Sequence, residues 1–328
     1  MSYSQLSASE RHRLYQLRTT TDLSLRAIAL ELGRNQSTLS RELARNQTDG
    51  GIYLPDRAQQ KMAQRRSQSK TTFSSISEEC VAEIKARLQQ YHSPEQIAGR
   101  LRREGSSLLS HETIYQMIYA NHEGMADYQQ YLRQRRGKRR KRGGSNSKRG
   151  QIPGRVGIEH RPAIADAKLE IGHWESDTMI GGNHSGVIVT HVDKASKFLV
   201  AGLGKNKTSA QVNQVTISLF SQVSDEQRHT MTFDNGKEFI GHGELSQALG
   251  ICCYFANPYH SWERGLNEHT NGLLRQFFPK QTNFRIVKPE ALAKAVTLIN
   301  NRPRKSLDYK TPYEVFYAGK SDTDALQI

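Results

Sequence analysis

Residues 133–150 read RQRRGKRRKRGGSNSKRG and carry ten Lys and Arg with no acid, so they divide the chain. Such a stretch has almost nothing to bury, and its charges repel one another. It is expected to be a linker, and whatever folds must fold before or after it. The two sides differ in charge. Residues 1–150 hold 27 Lys and Arg against 14 Asp and Glu, a net +13, whereas residues 151–328 hold 20 against 18, a net +2. A polyanion therefore meets the first half, and nucleic acid is the leading candidate. The plain alternative is a basic surface that serves solubility. Within the linker, Arg135, Arg136, Arg139 and Arg140 are read as lying along a phosphate backbone rather than as a bare tether.

Composition sets the expected boundaries at 1–70, 71–132, a basic linker over 133–164, and 165–328. The first segment contains LSLRAIALELGRNQSTLSRELARN, from Leu23 to Asn46. Ser24 suits a helix N-cap, and Leu25, Ile28, Ala29 and Leu32 then share one face. Gly33 permits a tight turn. A second helix follows with Leu39 and Leu43 inward, and Gln36, Ser37, Thr38, Ser40, Arg41 and Arg45 on its other face. Those are groove-reading and phosphate-binding side chains, and the pattern predicts a helix-turn-helix on double-stranded DNA. A second unit starts at Ser93-Pro94-Glu95-Gln96, a capping box with Pro at the first helical position. Ile97 and Leu101 face inward there, and Arg100, Arg102 and Arg103 outward. Ser110 caps the next helix, with Ile114 and Ile118 inward. This too reads as a helix-turn-helix, or as a packing bundle.

Downstream, strand-like and helix-like segments alternate. Strands are expected over 171–180, 186–193, 197–203, 229–233 and 251–255, with helices over 208–223, 243–249 and 267–278. The first two strands are separated by a Gly/Asn/His turn and should form an antiparallel hairpin. Three acids stand out. Asp177 lies late in the first strand, Asp234 ends the fourth, and Glu268 begins the last helix. Read singly, each is a turn or helix-start acid. As an ordered set they converge at one sheet edge, where two unit charges ~4 Å apart cost about 4 kcal/mol at an effective dielectric near 20. Divalent cations relieve that cost, and hard oxygen ligands suit Mg²⁺ or Mn²⁺. Two such ions stabilise the attacking and leaving oxygens of a phosphodiester. Arg275, seven residues after Glu268, falls on the same helix face and is read as a phosphate contact. No Ser/His/Asp or Cys/His arrangement supports a protein nucleophile.

The segments HWESDTMIG, TFDNGKEF, NPYHSWERGLNEHTNGLLRQFFPK and NNRPRKSLDYKTPYEVF resemble the insertion-sequence transposases of the IS-thirty family, within the DDE superfamily. The resemblance runs over essentially the whole chain, and the 33 residues between Asp234 and Glu268 match the family's spacing. It implies N-terminal all-α helix-turn-helix units followed by an α/β ribonuclease H-like, integrase-type catalytic domain with a mixed five-stranded sheet. It implies that Asp177, Asp234 and Glu268 are both catalytic residues and ligands for Mg²⁺ or Mn²⁺, two ions per site. It implies recognition of terminal inverted repeats, strand cleavage, and transfer to target DNA by a homodimer or higher oligomer. The rival reading is a DNA-binding regulator with an inactive nuclease-like domain. Ser176 stands where the family pattern has Gly, and His260 and Glu263 where it has Ser and Gln.

Trp174 points away from the Glu175 and Asp177 face and is expected in the core, with Glu175 at most supporting the metal ligands. His242 is read as a helix-capping residue. Cys80, Cys252 and Cys253 form no CxxC pair and suit a reducing cytoplasm. No apolar stretch is long enough to span a bilayer, so no membrane partner is expected.

Overall fold

Residues 5–318, apart from 49, 69–72, 74–75, 134–151 and 259, are described by the computed structural model. The chain forms two compact units, Met1–Ser77 and Glu78–Ile328. Arg135, Arg136, Arg139 and Arg140 lie outside the described residues.

The first unit contains α1 (Ala8–Thr20), α2 (Leu25–Glu31), α3 (Gln36–Asn46) and α4 (Pro55–Gln68). Ser24 caps α2 as its sequence predicts, its hydroxyl accepting the Ala27 N–H at 3.3 Å. Gly33 follows with φ +62°, the left-handed conformation that glycine adopts without strain. Asn35 caps α3 through the Ser37 N–H at 2.9 Å. The polar-basic face of α3 is solvent-facing, with Leu39 and Leu43 buried under it. The periodicity does not announce α1 and α4, because their apolar positions are sparse. They close the core with Leu14, Leu17 and Ala58, joined by Tyr53 from the segment just before α4. A polar tie reinforces this: Arg11, 1% exposed, donates to Glu42 and Gln59 at 2.6 Å each.

The second unit opens with α5 (Glu78–Gln89), α6 (Pro94–Arg103) and α7 (His111–Tyr119), then a run of 3₁₀ turns over His122–Tyr131. Short α8 (Ile164–Ala167) leads into β1 (His173–Ile180), β2 (Val187–Asp193) and β3 (Leu199–Gly204). Then come α9 (Ser209–Phe220), β4 (Thr230–Phe233), α10 (His242–Leu249), β5 (Cys252–Phe255), α11 (Gly265–Leu274), α12 (Pro289–Asn300) and α13 (Pro312–Phe316). The sheet order is β3-β2-β1-β4-β5. The β1–β2 and β2–β3 pairs are antiparallel; β1–β4 and β4–β5 are parallel. This is the mixed five-stranded, ribonuclease H-like arrangement, including the expected hairpin. Alternation along β2 decides the layers. Val187 and Val189 pack with Val212, Phe220 and Leu245 from α9 and α10, whereas Ile188 and Val192 pack with Leu273, Leu274, Leu292 and Ile299 from α11 and α12. Trp174 is fully buried in the first layer, its indole N–H donating to the Gln227 carbonyl at 2.8 Å.

Two details differ from the sequence reading. The helix expected to reach Phe278 ends at Leu274, where the backbone tightens into i→i−3 bonds (the Gln276 N–H to the Leu273 carbonyl and the Phe277 N–H to the Leu274 carbonyl, 3.0 Å each) and Phe278 turns into the core against Phe284 before Pro279. Arg100 and Arg103 do not simply face solvent. Arg100 makes a two-pronged pair with Glu314 at 2.8 and 2.7 Å, Arg103 pairs with Asp308, and the Tyr309 ring lies on Gly99. Helix α6 is thereby held against the C-terminal segment of its own unit. Among the described residues, no helix is long and apolar enough to cross a membrane.

Candidate active site

Parallel pairing sets the site. β1 and β4 run side by side in one direction, so Asp177 on β1 and Asp234, just after β4, emerge at the same end of the sheet. One guanidinium nitrogen of Arg264, Nη2, lies 3.8 Å from Asp177 Oδ2 and 3.7 Å from Asp234 Oδ2. The same arginine donates Nη1 to the Ser176 carbonyl at 2.7 Å, which fixes its reach. Asp177 Oδ1 accepts the Thr178 N–H at 2.8 Å, and Oδ2 accepts the Asn271 side-chain amide at 3.0 Å. Asp234 Oδ1 accepts the Gly236 N–H at 2.8 Å. Burial pushes the Asp177 carboxyl above its usual range; Arg264 opposes that shift, and Asp234 and Glu238 add to it.

Glu238, which is not one of the three acids expected from the sequence, is a third acid here. It is 5% exposed, and its Oε1 accepts Lys207 Nζ at 2.7 Å and the Thr178 hydroxyl at 3.0 Å. A Cβ added to Gly236 would fall 2.4 Å from Glu238 Oε2 and 2.8 Å from Asp234 Oδ1. Only a glycine lets these carboxylates approach from either side of the turn. The signal lay in the quoted TFDNGKEF, four residues past Asp234.

Glu268 stands exposed in the first turn of α11. Its neighbours do the docking. The Asn267 N–H donates to Glu175 Oε2 at 3.1 Å, and the Asn267 side-chain amide donates to the Glu175 carbonyl at 2.9 Å. The Thr190 hydroxyl lies 3.2 Å from Asn267 Oδ1 and 3.1 Å from Asn271 Oδ1. Helix α11 is therefore seated on β1 and β2 through two asparagines one turn apart, and Glu268 flanks that seam. Burial raises the Glu175 carboxyl, and the Asn267 N–H pulls it back. The structure brings Asp177 and Asp234 together. Among the described residues, no three His, Cys, Asp or Glu side chains converge closely enough to hold a metal ion.

The family-pattern departures find local roles. The Ser176 hydroxyl sits 2.7 Å from His191 Nδ1 in the interior, a contact glycine could not make. Glu263 Oε2 accepts the Asn257 N–H at 2.8 Å, and Oε1 lies 3.1 Å from His260 Nδ1. His242 does not cap α10 as expected: Gly241 is the N-cap and no side chain caps the helix, whose first residue His242 places Nδ1 3.2 Å from the Phe239 carbonyl. Arg275 ends α11, donating to the Ile180 carbonyl at 3.2 Å, and burial lowers its pKa. With Lys280 and His184 it lines a cavity of about 380 Å³ at the end of β1. On α3, Gln36, Ser37, Ser40, Arg41 and Arg45 are exposed and Thr38 is half-buried; the Ser37 hydroxyl donates to Asn35.

A helix-turn-helix domain family matches residues 2–46. Over its length the chain is similar to three transposases. It is 42% identical to the transposase for insertion sequence element IS4351 of Bacteroides fragilis, covering 90% of each chain. It is 36% identical to the transposase for IS1086 of Cupriavidus metallidurans, covering 95% of this chain and 94% of that one. It is 34% identical to transposase InsI for IS30A of Escherichia coli, covering 97% and 85%.

Proposed function

The chain belongs to the IS30 family of insertion-sequence transposases, and we propose that it cuts and joins DNA at a DDE centre made of Asp177, Asp234 and Glu268. One observation carries the centre: Asp177 and Asp234, from strands far apart in sequence, share a single cationic nitrogen of Arg264. Two facing carboxylates need a positive charge between them, which is the donor chemistry a hard divalent cation fits. In this reading Asp177 and Asp234 hold Mg²⁺ or Mn²⁺, two ions per site, and Glu268 completes the ligand set from α11. When bound, such ions supply the charge that stabilises the attacking and leaving oxygens of a phosphodiester.

The remaining residues bind and orient. Gln36, Ser37, Thr38 and Ser40 meet base edges of the terminal inverted repeats, and Arg41 and Arg45 meet the flanking phosphates. Arg135, Arg136, Arg139 and Arg140 follow the backbone without reading sequence. Arg275, with Lys280 beside it, binds a phosphate next to the reacting one. Asn267, Asn271 and Glu175 keep α11 in register with β1. Two DNA ends must meet, so the working form is a dimer or larger, acting on DNA in the bacterial cytoplasm.

The test supplies the full chain with Mg²⁺ and DNA bearing the element's own inverted repeats. Wild type joins strands and Asp177→Asn does not; joining that survives Asp177→Asn defeats the assignment.

A further inference from the structure

Three arginines gather beside α11: Arg302 and Arg304, two residues apart, and Arg133 from far upstream in the same unit. Arg302, just past α12, is 2% exposed. Its Nη1 donates to Gln276 Oε1 at 3.0 Å, while its Nε and Nη2 are buried with no hydrogen-bond partner. Its guanidinium carbon lies 5.8 Å from the Tyr91 ring centre and 5.4 Å from that of Phe277. Arg304 donates Nη2 to the Ile299 carbonyl at 3.1 Å, and its buried Nε also lacks a partner. Arg133 is exposed, and its Nη2 lies 3.3 Å from where a Cβ on Gly272 would stand, over the middle of α11.

Buried arginines elsewhere in the chain bring their own acids: Arg11 has Glu42, and Arg161 has Asp166. Among the described residues, no carboxylate forms an ion pair with Arg133, Arg302 or Arg304. Burial, followed by repulsion from the other arginines, brings Arg302 down to about 9 and Arg304 down to about 10. Desolvated like charges destabilise a fold unless an anion joins them. Planar guanidinium groups with spare N–H donors match the oxygens of a phosphate.

We propose that Arg133, Arg302 and Arg304 form a phosphodiester site that holds one backbone phosphate of bound DNA against α11, the helix that carries Glu268. The identity of the anion as DNA rests on the transposase reading. The site is separate from the Arg275 cavity, and its occupant seats the duplex over α11 at Gly272.

Two measurements on the full chain test this. In the first, affinity for a duplex of unrelated sequence is followed by fluorescence anisotropy across a salt series. Arg133→Ala and Arg304→Ala should each reduce the slope of log K against log salt, by up to about 0.9, the value for one phosphate. In the second, thermal melting in inorganic phosphate is compared with chloride at equal ionic strength. Phosphate should raise the Tm of wild type more than that of Arg133→Ala, whose exposed side chain can be removed without disturbing the core. Slopes and phosphate gains equal to wild type overturn the proposal and make the cluster internal packing. A wild type that binds no DNA overturns it as well. Failure of the catalytic reading looks different: wild type would bind DNA with the full slope and join nothing.

Discussion

The backbone N–H of Asn267 donates to the Glu175 carboxylate at 3.1 Å, which pins the helix bearing Glu268 to the strand bearing Asp177. The contact needs an acceptor rather than a charge. Glu175→Gln should therefore keep strand joining close to wild type. Glu175→Ala should lower it by about 100-fold, since small misplacements of reacting groups cost that much. DNA affinity should hold in both. Equal losses in the two variants would show that the charge, not the seat of the helix, matters.

Gly236 separates two carboxylates. Its alanine variant must push Glu238 Oε2 or Asp234 Oδ1 aside, since the added Cβ would stand 2.4 and 2.8 Å from them. Both are ends of side chains, so the fold should survive with unchanged circular dichroism. Joining in Gly236→Ala should fall by about 100-fold, because Asp234, one of the acids the reaction uses, is displaced either directly or through Glu238.

His191 gives the second unit an acid sensitivity. It is fully buried between the Ser176 and Thr216 hydroxyls, and burial pulls its pKa down to about 3. The folded value lies below the ordinary one of about 6.5, so its stabilising effect is complete above about pH 6.5. It is then lost as pH falls toward 3, at up to about 1.4 kcal/mol per pH unit. Tm measured from pH 7 to 4 should drop more steeply for wild type than for His191→Gln. Parallel curves would show that His191 does not set the acid sensitivity.

Tyr309 packs on Gly99 so closely that a Cβ there would lie 2.1 Å from its Cε1. Gly99→Ala must lift the ring from α6, at a cost of about 1–3 kcal/mol, and should melt earlier in a thermal scan. An unchanged Tm would mean that α6 gains little from its seat on the C-terminal segment.

Much of this was legible in the sequence, for local reasons. β-branched runs announced the strands, Ser24, Ser93 and Ser110 announced their helices as caps, and the face shared by Glu175 and Asp177 followed from strand alternation. What the sequence hid is long-range. Nothing local to Arg264 says that it reaches two acids from different strands. Nothing near Arg100 points to Glu314, more than two hundred residues away. Helices α1 and α4 escaped because they rely on tertiary packing and the buried Arg11–Glu42 tie rather than on a strong apolar stripe.

In the proposed centre Asp177, Asp234 and Glu268 together hold divalent metal. Mn²⁺ binding to the full chain, followed by electron paramagnetic resonance, tests it most directly. Wild type should bind Mn²⁺ saturably, with binding abolished in Asp177→Asn and Asp234→Asn and weakened in Glu268→Gln. Binding that stays at the wild-type level in all three variants would contradict this ligand set.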